Sequence, residues 1–126
     1  MFSINLLISK GMNMKIAIVT LLSLIYLTGC KPTEKDYINL GEGLVKSTLK
    51  DPDSAKFESL FKQSGESDGY VCGYVNAKNS YGGYTGKKQF YVYVDVLDGK
   101  INSNGPVKII NEQDYREKEN YKLFCQ

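Results

Sequence analysis

The sequence predicts an α+β domain over residues 34–126: an N-terminal amphipathic helix packed on a small antiparallel sheet of three to four strands, a short C-terminal helix and one disulfide. Three observations predict it. Apolar residues recur at helical spacing from Tyr37 to Leu49. Apolar side chains alternate with a second set from Phe90 to Val96. Cys72 and Cys125 remain as a pair once Cys30 has another use.

Thr33 has the residue type of a helix N-cap, and Asp36 three positions on makes a weak capping box. Tyr37, Leu40, Leu44, Val45 and Leu49 then form one stripe. Gly41 and Gly43 each lower helix propensity by about 1 kcal/mol relative to alanine, and close packing on the sheet is the expected return. Asp51-Pro52 is the expected stop, because a residue before proline is pushed out of the α region.

Beyond a turn or a single helical turn at 52–55, Phe57, Ser59 and Phe61 alternate, predicting a strand over 57–63. A polar turn at 64–68 leads to a second strand over 70–75. The third, over 90–97, sets Phe90, Val92, Val94 and Val96 on one face and Tyr91, Tyr93 and Asp95 on the other. Asp98-Gly99 is a two-residue hairpin signal leading into a strand over 100–103. Residues 107–110 read as a short edge strand or an extended segment, whose edge could pair with a second copy. Asn111 is the expected cap of a polar helix running to about Tyr121, with Leu123, Phe124 and the disulfide holding it down.

The first 29 residues read as an export leader. Lys15 precedes an apolar run from Ile16 to Leu27 that is shorter than the roughly 20 residues needed to span a bilayer, and no acidic residue occurs before Cys30. Met12 and Met14 are candidate starts. Leu27-Thr28-Gly29-Cys30 has the form of a bacterial lipobox, which assigns Cys30 to acylation, as by palmitate. An uncleaved single-pass anchor is the other reading of this run. Residues 30–33 would then be a lipidated cysteine and a very short tether, placing the domain at a membrane outside the cytoplasm. Lys31 after the cysteine points to the inner leaflet of the outer membrane, facing the periplasm, in a Gram-negative host.

The net charge of +2 comes from Lys10 and Lys15, so residues 30–126 are balanced. That leaves no basic patch for nucleic acid. Extracytoplasmic bacterial compartments can be oxidising, and Cys72 and Cys125 lack CxxC spacing, so a structural disulfide is expected. The chain has no histidine, which removes Ser-His-Asp and Cys-His catalysis and most zinc sites. No cofactor or metal is expected: the glycines near Lys87 and Lys88 do not fit GxxxxGK[ST], and Asp51, Asp53 and Ser54 lack EF-hand spacing. Carboxylate chemistry remains for Asp95, set in an apolar-aromatic strand. The plainer reading has Asp95 facing solvent or pairing with a lysine.

Residues 76–88 make a longer connection than a hairpin requires. Six of the ten tyrosines lie between Tyr70 and Tyr93, and tyrosine among Gly, Ser and Asn suits a binding surface. The candidate binding residues are Asn76, Lys78, Asn79, Tyr81, Tyr84 and Lys87. The competing reading is that Tyr81 and Tyr84 cover the sheet edge while the glycines serve tight turns.

Asp51-Pro52-Asp53-Ser54-Ala55-Lys56-Phe57, followed by Val71-Cys72-Gly73-Tyr74-Val75-Asn76-Ala77-Lys78-Asn79-Ser80-Tyr81-Gly82-Gly83-Tyr84-Thr85-Gly86, resembles a domain of small, functionally uncharacterised bacterial and phage-associated proteins. Its members read DPDSAKF and then VCGxVNAKNxxGGYxG. The resemblance spans residues 35–126 and implies export or lipidation and a domain boundary, but no activity. Tyr74 stands where an acidic residue is common, which implies a different target for this member if that acidic residue meets the partner.

The expected function is that of a membrane-anchored, non-enzymatic binding module whose partner is an envelope, secreted or phage protein, in an immunity, inhibitor or phage-exclusion role. The alternative is a glycan or cell-wall contact protein that maintains the envelope.

Overall fold

The computed structural model describes residues 29–126. The expected leader, including the choice between Met12 and Met14, falls on residues 1–28 and lies outside the described residues. Two helices and five strands follow in the order α1 (Glu34–Lys46), β1 (Lys56–Gln63), β2 (Asp68–Asn76), β3 (Lys88–Leu97), β4 (Lys100–Asn104), β5 (Lys108–Ile109) and α2 (Tyr115–Cys125), with a 3-10 turn at Pro52–Ser54. Among the described residues no helix is long and apolar enough to cross a membrane.

Helix α1 begins with a reciprocal cap. The Thr33 amide donates to Asp36 Oδ2 at 2.7 Å and the Asp36 amide donates to Thr33 Oγ1 at 3.3 Å. The Thr33 amide, and then the Thr33 hydroxyl, which also donates to Asp36 Oδ2, hold the Asp36 carboxyl below its ordinary 3.8. The helix stops at Lys46, well before Asp51-Pro52. Ser47 Oγ donates to the Leu44 carbonyl at 2.6 Å and Thr48 Oγ1 to the Val45 carbonyl at 2.8 Å, so hydroxyls bond the last carbonyls before proline can act.

The sheet has five strands, one more than the largest number expected. Strands β1-β2-β3-β4 are consecutive antiparallel neighbours, and β5 pairs with the other end of β3. Residues 107–110 contribute this fifth strand because Phe90 and Tyr91 of the long β3 still have a free edge beyond β4. Asp98 and Gly99 take φ of 52° and 73°, the left-handed pair that a tight hairpin requires.

Each face of the sheet carries a helix. On one face Tyr37 and Val45 of α1 join Val71, Val75, Phe90, Val92, Val94 and Val96 in the main core. Phe61 stacks on Tyr37 with centroids 4.2 Å apart, and Phe57 meets Phe90 edge-on at 5.6 Å. A fully buried side chain here, such as Val71, Phe90 or Val92, contributes about 1.5–3 kcal/mol. Gly41 makes the approach possible, since a Cβ there would sit 2.5 Å from Val71 Cγ2. Gly43 has open space around it and plays no such part.

The opposite face packs Cys72, Tyr91, Ile110, Tyr121 and Cys125. The Cys72–Cys125 disulfide joins β2 to the end of α2 across 53 positions of sequence. Phe124 stacks on Tyr70 at 4.4 Å with nearly parallel rings. Leu123 is 75% exposed and does not anchor the helix; Tyr121 does. Helix α2 also starts at Tyr115, later than the expected cap at Asn111, and continues to Cys125. Its weak apolar stripe is compensated by the disulfide and by the Tyr91 hydroxyl, which donates to Glu117 Oε2.

Candidate functional site

The connection from β2 to β3 is ordered by its own backbone. Lys78 and Tyr84 form an antiparallel bridge, the Asn79 amide donates to the Gly83 carbonyl at 2.8 Å, and the Thr85 amide donates to the Ala77 carbonyl at 3.3 Å. Asn79 Oδ1 accepts from the amides of Tyr81 and Gly83 at 3.0 and 3.1 Å. Asn76 Oδ1 accepts from the Gly86 amide at 3.1 Å. Gly82 and Gly86 have φ of 81° and 91°, which side-chain-bearing residues adopt with strain. The result is a miniature hairpin with its tip at 80–82.

Ser54 fastens that hairpin to the turn before β1. Its Oγ accepts from the Lys78 amide at 2.9 Å and donates to the Asp51 carbonyl at 2.7 Å. The Tyr84 hydroxyl donates to the Ser54 carbonyl at 3.1 Å. The turn at 52–54 and the hairpin at 78–84, separate stretches of sequence, therefore meet in space. Neither stretch alone reveals this.

The six candidate residues separate into two groups. Asn76 and Asn79 hold the turn. Tyr84 lies over the 3-10 turn with Lys56 and Lys78 Nζ 4.8 and 5.6 Å from its ring centroid. Lys87 pairs with Glu58. Tyr81 is 97% exposed, and covers no part of the sheet edge. It is the one candidate whose side chain makes no hydrogen bond, ion pair or cation–π contact, and it stands on a turn bonded by Asn79.

Tyr74 is 40% exposed. It lines two clefts at the foot of the hairpin. One, of about 510 Å³, runs past Lys88 and Gln89 to Asn111 and Lys118. The other, of about 130 Å³, is also lined by Phe57 and Lys87. Sequence reading flagged Tyr74 only through the resemblance.

Asp95 accepts from Ser67 Oγ and from Asn102 Nδ2, both at 2.7 Å. Its partners are thus neutral donors rather than a lysine. Asn102, then Ser67, holds its carboxyl below the ordinary 3.8. Asp68 is its cross-strand neighbour and accepts from the Tyr93 hydroxyl at 2.8 Å. A general acid needs a carboxyl raised toward neutral pH, opposite to the shift at Asp95. No group of three or more metal-ligating side chains occurs among the described residues. Cys30 is exposed and free.

No protein-family model matches this chain, and neither a curated protein nor a solved structure is significantly similar to it.

Proposed function

We propose that this chain is a lipid-anchored, extracytoplasmic binding module that presents Tyr81 to a protein partner and performs no catalysis. The observation that carries the proposal is the contrast within the loop: Tyr81 is 97% exposed, while its neighbours hold the backbone in place. A rigid, exposed tyrosine supplies contact area at small entropic cost, because the turn is ordered before the partner arrives.

Two further features support a protein rather than a glycan as the target. Tyr84 has lysines over its ring and its hydroxyl engaged, leaving Tyr81 without a second open aromatic platform in the loop. The clefts at the hairpin's foot, beside Tyr74, give a partner an adjoining concave surface. The lipobox at 27–30 supports the anchor, and the cap at Thr33 places folded structure within three residues of Cys30. The absence of histidine and the ionised state favoured at Asp95 support a non-enzymatic role.

The test is chemical cross-linking in intact host cells, comparing wild type with Tyr81→Ala and Tyr84→Ala. A protein captured by wild type and lost with Tyr81→Ala is the expected result. Capture unchanged in both variants would remove the loop from the account. Retention on purified peptidoglycan, lost with Tyr81→Ala, would move the assignment to the glycan alternative.

A further inference from the structure

We propose that the free edge of β1 pairs with the same edge of a second copy, joining two sheets across a two-fold axis. The two sides of the sheet are built differently. On one side the edge is divided between β4, five residues long with a register shift at Asp95/Val96, and the two-residue β5. Gly105 and Pro106 lie between them. Such interruptions are how edges are kept from pairing. On the other side β1 is eight residues long, in unbroken register with β2, and pairs with no other strand among the described residues.

The side chains of β1 match their own reverse. Glu58, Leu60 and Lys62 lie on one face and are exposed, with Leu60 at 41%. With Leu60 on the two-fold axis of an antiparallel pair, Glu58 of each copy lies opposite Lys62 of the other. The same register sets Leu60 against Leu60, Phe57 against Gln63 and Ser59 against Phe61. The two Glu58–Lys62 pairs and the Leu60–Leu60 pair are of the favourable cross-strand kinds, opposite charges and facing apolar groups, while the others set an aromatic ring against a polar side chain. Lysines commonly blunt an edge, but here the opposing copy would bring a carboxylate to each Lys62. Glu58 already meets Lys87, and Lys62 Nζ donates to the Gln126 carbonyl at 3.2 Å. Glu58 remains 61% exposed, and a carboxylate can accept from a second donor. This edge is separate from residues 107–110, whose strand is only Lys108–Ile109.

The test uses the full chain in detergent micelles, read by sedimentation equilibrium and by disulfide cross-linking. Wild type should sediment as a dimer. Glu58→Lys, which sets lysine against lysine twice, should raise the dissociation constant by about tenfold or more, and Glu58→Lys/Lys62→Glu should restore it. Under oxidation Leu60→Cys should give a reducible dimer well above the background of Leu97→Cys, whose parent residue is 60% exposed at the β3–β4 hairpin. Circular dichroism of each variant checks the fold. A monomer in every sample, or a dimer indifferent to the charge reversals and cross-linked equally at position 97, would overturn the proposal. The first of these would leave the edge to a strand from another protein.

Discussion

The Tyr84 hydroxyl donates to the carbonyl of Ser54, 30 positions earlier, while the Ser54 hydroxyl accepts from the amide of Lys78. One serine thus closes both arms of the hairpin that carries Tyr81. The geometry of the tip depends on a residue outside the loop, and this dependence is open to measurement.

Ser54→Ala removes a part-buried acceptor and leaves the Lys78 amide without its partner. Stability should fall by about 1–2 kcal/mol. Amide exchange should accelerate at 78–85 more than in β3. Urea unfolding and hydrogen exchange measure the two effects, and uniform acceleration across the sheet would contradict a local clamp.

The two helix glycines should respond in opposite directions. At Gly41 an added methyl would lie 2.5 Å from Val71 Cγ2 in the main core, so Gly41→Ala should destabilise by about 1–3 kcal/mol, its gain in helix propensity notwithstanding. Gly43 faces open space, so Gly43→Ala should stabilise by up to about 1 kcal/mol. Thermal melts of the two variants decide it. Changes of the same sign would show that the interlock of α1 with β2 is misplaced.

Stability should also depend on pH through Tyr91 and Glu117. The bond from the Tyr91 hydroxyl holds the Glu117 carboxyl below its ordinary 4.5. The unfolded chain therefore takes up this proton first as pH falls. The stabilisation is present above about 4.5 and is lost as pH drops through the lowered folded value. Burial first, and the bond to Glu117 second, push Tyr91 up to about 12. Its contribution is complete below 10 and fades as pH rises from 10 toward 12, where the unfolded tyrosine ionises before the folded one. Tyr91→Phe should lower stability at pH 7 and flatten both limbs. Urea midpoints between pH 3 and 7 and between pH 9 and 12 are the measurement.

Much of the sheet was legible because its signals are local. The alternation from Phe90 to Val96 fixes which face meets α1, and Asp98-Gly99 specifies the hairpin through φ alone. The single spare pair of cysteines gave the disulfide. Other features depend on distant partners and could not be read. Helix α1 ends through the Ser47 and Thr48 hydroxyls, which compete with the proline signal expected to stop it. Strand β5 exists because β3 outlasts β4. Asp95 looked anomalous in an aromatic strand until Ser67 and Asn102 closed on it. In the loop, composition suited a binding surface but could not divide the tyrosines. Tyr84 is drawn in by Ser54 and two lysines, whereas Tyr81 is left out.

The central claim is that Tyr81 is where a partner protein is met. The most direct measurement places a photo-cross-linking amino acid at position 81 of the full chain in intact host cells, with position 123, also exposed, as the control. The account predicts one dominant cross-linked protein from position 81, absent from position 123 and reduced by Ser54→Ala. The same adducts from both positions, or none from position 81, would contradict it.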